Sequence, residues 1–451
     1  MNIPPDVIKI LKTFNNSNFK AFIVGGCIRD YLLGRIPKDW DICTSATPTE
    51  TKEIFRNQKV IDTGLKFGTI TLVLNRKHYE ITTFRIEEKY LNHRKPENIT
   101  FTHSIEEDLA RRDFTINSLA YNPDTGIIDL YHGQKDIELK LVRCVGNAEE
   151  RFTEDALRIL RAIRFSAKLS FCIEETTKSA IFKCSSLLKN ISIERCVEEF
   201  NKILLSDYVC DILIEYISIF CEFFHELAFL KKNNKQELDI KHSRFSHIAH
   251  SLQNAPKDLI IRLTILLNEI IKHDEYIIKE QTLQHSERII IYNEKVKKIL
   301  KSLKYSNYII KEIIEMIGSY DIRIEPCKIE IKKLLNRLGE TRFRRLLVIK
   351  NIELKASKNK ETDTLKKQYQ TLKSIRSIFN DIIRKKECYH IKDLAINGDD
   401  LLDIGYQKGE KIGITLNKML DLVINEQVKN DKNAILKVLC NQEFIITIHE
   451  R

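Results

Sequence analysis

The stretch Phe22–Ile42, FIVGGCIRDYLLGRIPKDWDI, decides how the N-terminal third of this 451-residue chain folds. The apolar run ending at Gly25-Gly26 reads as a strand, and Cys27–Leu33 as a short helix behind it. Two glycines at a strand-to-helix turn let the backbone approach a ligand closely, and the helix start then offers free N–H groups to an anion. Arg29, one turn in, adds a fixed positive charge. Tight packing is the commoner reason for a glycine pair; the residues downstream shift the balance. Asp39 and Asp41 flank Trp40 at i and i+2, and in a strand such residues share a face. Two carboxylates side by side repel each other unless a cation joins them, and hard oxygen ligands favour Mg²⁺. Such a pair suits two-metal phosphoryl transfer. Glu80, in YEITTFR on a neighbouring strand, is the candidate third carboxylate. Asp39, Asp41 and Glu80 are therefore the candidate catalytic set, with Asp39 and Asp41 holding metal.

Around this stretch, AFIV, GTITLVL and HYEITTF are apolar or alternating and rich in β-branched residues, as strands are, and LVLNRKHYEITTF reads as a hairpin turning at Asn75–Lys77. Eight of the 14 glycines precede residue 147 and none falls between 147 and 317, so turns and strands give way to nearly continuous helix. An α/β or α+β head of about 140 residues followed by helices is expected. In the helical part, Leu157, Leu160, Ile163 and Ala167 recur on one stripe. Residues 350–387 carry eleven Lys/Arg against five Asp/Glu, over half of the chain's net +11, while Leu365, Leu372, Ile375, Phe379, Ile382 and Ile383 keep a helical stripe. A solvated helix with a basic face is expected there, and its pairing with a phosphate-handling site points to a polyanion.

Composition excludes several classes. With 43% hydrophobic and 30% charged residues the chain is not disordered, and few glycines or prolines exclude collagen-like and turn-rich all-β readings. No run approaches the roughly 18 apolar residues of a membrane span, and MNIPPDVIKILKTFNNSNFK does not read as a secretory signal. A cytoplasmic protein without a membrane partner is the expectation. The eleven cysteines include no C-x-x-C pair, and buried reduced thiols are expected.

Residues 22–42 resemble the signature of the class II tRNA nucleotidyltransferase and bacterial poly(A) polymerase superfamily, which has a polymerase-β-like nucleotidyltransferase fold. RRDFTINSLAY (Arg111–Tyr121) and EDALRILRAIRF (Glu154–Phe165) are similar to its second and third motifs, and ISIERCVEEFNKIL resembles the neck helix that follows. The resemblance covers about 200 residues. It implies an α+β fold: a mixed-sheet catalytic head over residues 1–140, a helical neck with the base-selecting helix over 141–205, a helical body over 206–345 and a tRNA-binding tail over 346–451. It also implies that Gly25, Gly26 and Arg29 face the nucleotide, that Arg112 and Asp113 lie near its sugar and phosphates, and that Arg161 and Arg164 help to hold it.

Asp155 and Arg158 agree independently with that reading. As i, i+3 neighbours on a helix they form a protein template: the carboxylate accepts from the amino group of cytosine or adenine, and the guanidinium donates to the adjacent ring nitrogen. Guanine and uracil present the reverse pattern and are refused. As bland alternative, the pair is a surface salt bridge.

Within the superfamily, IDTGLKFGTITLV resembles the tRNA enzymes and lacks the G-[RK]-[RK]-F signature of bacterial poly(A) polymerases. Lys89–Phe101 resembles the flexible loop needed to switch to A addition, and DLAINGDDLLDIGYQKGEKIGITLNKMLDLVIN resembles the C-terminal domain whose tail contacts the tRNA elbow. CTP and ATP as substrates, Mg²⁺ as cofactor, and the tRNA acceptor arm and elbow as partner follow from the resemblance. A poly(A) polymerase, an A-adding enzyme working beside a separate CC-adding one, and a catalytically silent RNA-binding protein stay as alternatives. HSRFSHIAHSLQNAPKDLIIRLTILLNEI resembles an HD-type phosphohydrolase domain, but Asn268-Glu269 stands where its His-Asp pair belongs, and His247 alone leaves the ligand set incomplete.

Overall fold

The computed structural model describes residues 3–91, 95–228, 244–278, 285–356 and 363–440. The chain divides into two compact units, residues 1–249 and 250–451.

The first unit is built on a seven-stranded mixed sheet. Its strands are β1 (Ala21–Val24), β2 (Asp41–Thr44), β3 (Lys59–Gly64), β4 (Thr69–Leu74), β5 (Lys77–Thr83), β8 (Leu119–Asn122) and β9 (Gly126–Asp129), in the order β3-β4-β5-β2-β1-β8-β9. Only β2 and β5 run parallel. β4 and β5 form the expected hairpin. Leu74 pairs with Lys77, so Asn75 and Arg76 alone make the turn, both with positive φ (49° and 62°), as a two-residue turn between twisted strands requires.

One face of the sheet is covered by α1 (Pro5–Asn16), whose buried stripe is Val7, Ile10, Leu11 and Phe14. Phe14 meets the ring of Phe55 edge-on, and the Tyr79 hydroxyl donates to Asp6. On the other face Phe22, Val24, Cys43 and Ala120 pack under Ile105 and Leu109 of α4 (Ile105–Ala110). The helix α2 (Gly26–Leu32) leaves β1 directly, while α3 (Pro48–Ile54) follows β2 and α5 (Gly133–Glu138) follows β9. A separate hairpin, β6 (Arg85–Leu91) with β7 (Lys95–Phe101), contains the segment expected as a flexible loop; it is a regular ladder from Arg85–Phe101 to Leu91–Lys95, and residues 92–94 lie outside the described ones. Its base is fixed by close packing: a Cβ on Gly68, where φ is +73°, would come within 2.7 Å of the Phe101 ring.

Helices follow, interrupted by a short parallel pairing of β10 (Leu141–Val142) with β11 (Cys172–Ile173). They are α6 (Ala148–Glu154), α7 (Leu157–Leu169), α8 (Glu175–Cys184), α9 (Ile193–Leu204) and α10 (Val209–Phe220). Here the structure corrects the sequence reading. Glu154–Phe165 is not one helix: α6 ends at Glu154, Asp155 adopts extended angles (φ −133°, ψ 102°), and α7 starts at Leu157. The Asp155 carboxylate accepts from the Leu157 amide at 3.1 Å, as a side chain at a helix start does.

Among its described residues the second unit consists of helices joined by turns, with no strand. The basic segment 350–387 is the end of helix Lys328–Ala356 followed by helix Asp363–Arg384, with residues 357–362 outside the described ones. Leu372, Ile375, Phe379 and Ile382 are buried, whereas Leu365 and Ile383 are half-buried. A second core gathers Leu401, Met419, Leu420, Ile424, Ile435 and Leu439 from the last three helices. Asn268 is buried on helix Leu259–Ile278, and His247 is exposed in the other unit. Among the described residues no helix is long and apolar enough to cross a membrane, and all eleven cysteines are free thiols.

Candidate active site

The register of two strand pairs brings the acidic residues together. Val24, the last residue of β1, pairs with Asp41, and Ile42 pairs with Ile81 in the parallel ladder, so Asp41 and Glu80 stand level on adjacent strands. Both precede a buried isoleucine by one residue and therefore point away from the face α1 covers. Asp39 differs from expectation. The strand begins at Asp41, because β1 turns away at Gly25 and leaves no partner for earlier residues, so strand periodicity does not govern Asp39. It nevertheless adds its charge to the group. Partial burial and then Glu80 raise the Asp41 carboxyl above its ordinary pKa, Arg112 opposes them, and Asp39 adds a smaller push upward. Burial and the same Asp41 charge push the Cys27 thiol up to about 12.

The glycine turn faces two arginines. Gly25 has φ +77°, and a Cβ there would sit 3.3 Å from Arg112 Nη1. A Cβ on Gly26 would sit 3.3 Å from Arg29 Nη2. The turn thus lets guanidinium groups approach the backbone at the end of β1. The Gly25 amide itself donates to Leu119 O at 3.1 Å, which ties the turn to β8.

Arg29 is buried and donates through Nε and Nη2 to Asp30, and through Nη1 to Asn117 Oδ1. Asn117 in turn donates to Asp113 Oδ1 at 3.2 Å, and Arg161 donates to Asp113 Oδ2 through Nε (2.8 Å) and Nη2 (2.6 Å). Arg161 and these hydrogen bonds outweigh burial and hold Asp113 down to about 2. Arg164 pairs with Glu199 of α9 at 2.6 Å. Asp108, fully buried on α4, receives Arg112 Nη2 at 3.0 Å and two bonds from Arg111. Arg111 also reaches Glu87 at the base of the β6–β7 hairpin (3.1 Å).

The side chains of Asp155 and Arg158 each engage other residues. Asp155 Oδ2 accepts from Arg195 at 3.2 Å. Arg158 is buried, donating to Glu154 at 2.7 Å and to Arg111 O at 3.0 Å. The Arg158 amide still donates to Asp155 O at 2.9 Å, but the extended angles of Asp155 turn its carboxylate towards Arg195.

Asn117, Asp108, Glu154 and Glu199 were not singled out by sequence reasoning. Asn117, Glu154 and Glu199 lay inside quoted motifs, and Asp108 carried a signal of its own, a carboxylate three and four residues before an Arg pair.

Comparison with known proteins finds matching families along the chain. Residues 21–143 match the poly A polymerase head domain, residues 283–439 match the tRNA nucleotidyltransferase domain 2 family, and residues 170–215 match the family described as "Probable RNA and SrmB- binding site of polymerase A". A CCA-adding enzyme of Lactobacillus helveticus is 33% identical over 440 residues, covering 96% of this chain and 97% of that protein. The chain belongs to the CCA-adding enzyme family. A CCA-adding enzyme of Streptococcus agalactiae serotype V is 50% identical over 201 residues, an alignment covering 45% of this chain and about half the length of that relative. The solved structure of the Bacillus stearothermophilus CCA-adding enzyme in complex with CTP superposes with a TM-score of 0.69 at 26% identity, covering 99% of this chain and all of that one.

Membership of this nucleotidyltransferase family implies a divalent metal. Among the described residues no three acidic, imidazole or thiol side chains are already gathered as a closed cage. The donor set nevertheless fits a hard cation: Asp41 sits among like charges, with Arg112 as the opposing one, and substrate oxygens would complete the coordination.

Proposed function

We propose that the chain adds C, C and A in turn to the 3′ end of tRNA, using CTP and ATP without a nucleic-acid template and releasing pyrophosphate. The observation that carries the reading is the Val24–Asp41 pairing: it sets a charge-crowded carboxylate beside a glycine turn lined by Arg29 and Arg112. Asp39 and Asp41, with Glu80 beside them, would hold Mg²⁺, which when bound supplies Lewis-acid activation and screens the charge on the phosphates.

The chain's own residues do the rest. Arg29 and Arg112 take the triphosphate, and their place behind the Gly25-Gly26 turn lets it lie against the backbone. The tRNA 3′-hydroxyl oxygen bonds to the α-phosphorus in line, the bond from that phosphorus to the bridging oxygen breaks, and pyrophosphate leaves with the electron pair. The hydroxyl proton passes to the carboxylate cluster or to water. Arg161 and Arg164 help to hold the nucleotide, and Asp113, beside its sugar and phosphates, keeps Arg161 in place.

Asp155 and Arg158 select the base, and for that they exchange Arg195 and Glu154 for the Watson–Crick edge of cytosine or adenine. The residues of the head (1–140) carry the chemistry, the neck (141–205) the base choice, and the body (206–345) and tail (346–451) the tRNA arm and elbow. Such contacts are sequence-tolerant and salt-sensitive. A tRNA substrate is consistent with a cytoplasmic protein.

Incubation with tRNA lacking its 3′ end, with CTP and ATP singly and together, tests the reading. Three additions that then stop are expected. Incorporation from ATP alone onto tRNA ending in CC identifies an A-adding enzyme instead, and long adenosine tracts on any RNA identify a poly(A) polymerase.

A further inference from the structure

Three guanidinium groups of the site surround one aromatic ring. Phe165, on α7, has the Arg164 guanidinium 4.2 Å from its centroid, Arg29 at 5.2 Å and Arg161 at 5.7 Å. The ring is 5% exposed and meets Phe114 edge-on at 5.7 Å. Each arginine has a carboxylate of its own: Asp30 for Arg29, Asp113 for Arg161 and Glu199 for Arg164. Asn117 ties Arg29 to the Asp113 that Arg161 grips, whereas Arg164 answers to Glu199 on α9. The ring is the common element. An aliphatic side chain of equal size would exclude water equally well but would exert no pull on a cation, whereas the negative face of an aromatic ring attracts each guanidinium.

Crowding three positive charges is costly, and Lys168 nearby adds to it. Burial first, then the charge of Arg29, holds its ammonium below the ordinary pKa. The site keeps the charges together all the same.

We infer that Phe165 is a positioning residue for nucleotide binding, its π face gathering Arg29, Arg161 and Arg164 into one electropositive wall for the incoming triphosphate. The inference rests on the nucleotidyltransferase reading above. It explains why an aromatic residue occupies this place on α7 and why Arg29, from the far side of the head's sequence, and the α7 arginines meet.

Replacing Phe165 in the full-length protein by 4-fluoro-, 3,5-difluoro- and 3,4,5-trifluorophenylalanine tests it. Shape and apolarity are nearly kept while the ring's negative face weakens in steps. The Kd for CTP, measured without tRNA, and the KM for CTP in extension of tRNA lacking its 3′ end are expected to rise stepwise, by about tenfold at three fluorines, with kcat changing less than about twofold. A ring that serves only as packing leaves both flat, and that result overturns the inference. If the unmodified protein binds CTP but does not extend tRNA, the functional reading falls alone and the Kd series still decides the role of Phe165. If it binds no nucleoside triphosphate, both fall.

Discussion

Asp41 and Asp113 are both acidic residues of the head, and their surroundings drive them in opposite directions. Asp41, at the start of a strand, is raised by partial burial and by Glu80 and Asp39, with Arg112 opposing. Asp113, in the turn before β8, is more deeply buried yet held down to about 2, because Arg161 grips it with two bonds while Asn117 and the Phe114 amide donate to it as well. The difference separates two uses of a carboxylate. Asp113's charge is matched within the protein and locks α7 to the head. Asp41's charge is left short of partners, so an incoming cation gains most there.

The sharpest way to break this comparison is Asp41→Ala. Nucleotide incorporation is expected to fall on the order of 10⁴-fold while the Tm does not drop, since the substitution removes a repulsion; substantial activity in the purified variant would sink the metal assignment. Arg158→Ala comes next. It strips Glu154 of a buried partner, so a stability loss of about 2 kcal/mol is expected by urea titration. Discrimination of CTP against UTP should fall roughly tenfold to a hundredfold, and an unchanged ratio would count against a protein template.

The Asp113 side can be probed by acid. A carboxyl depressed in the folded state contributes stability that is full above its unfolded pKa, near 4, and is lost as pH falls through about 2. The contribution is on the order of 2 kcal/mol. In Asp113→Asn that share of the acid dependence between about pH 4 and 2 should vanish from the unfolding free energies, and an unaltered slope would refute the pairing's weight. The smallest effect is a control outside both clusters: Arg76→Gly relieves a positive φ in the β4–β5 turn and should add about 0.5 kcal/mol by thermal melting, with kcat unchanged.

The β1–turn–α2 unit and the β4–β5 hairpin were legible because local chemistry dictates them: a glycine pair ends one, and two residues close the other. Glu80 could be offered as a third carboxylate on a neighbouring strand, but its register against Asp41 comes only from the folded sheet. Nor could the place of Asp39 be read, because where a strand starts depends on where its partner ends. The break at Asp155 hid behind its helix-like i, i+3 spacing from Arg158, although an aspartate just ahead of Leu157, where the apolar stripe begins, is itself a helix-start signal. The ring of Phe165 was beyond reach: its contact with Arg29 joins residues that only the folded head brings together.

The two neighbours of β1 arise at very different times during synthesis. β2 follows within twenty residues or so, whereas β8 is about a hundred residues further on, and Arg161 later still. A ribosome must therefore deliver most of the head and the start of the neck before the sheet's centre can close, which makes this a slow, non-local assembly. A nascent chain that stops short of α7 carries all three acidic residues and still lacks the arginine that grips Asp113.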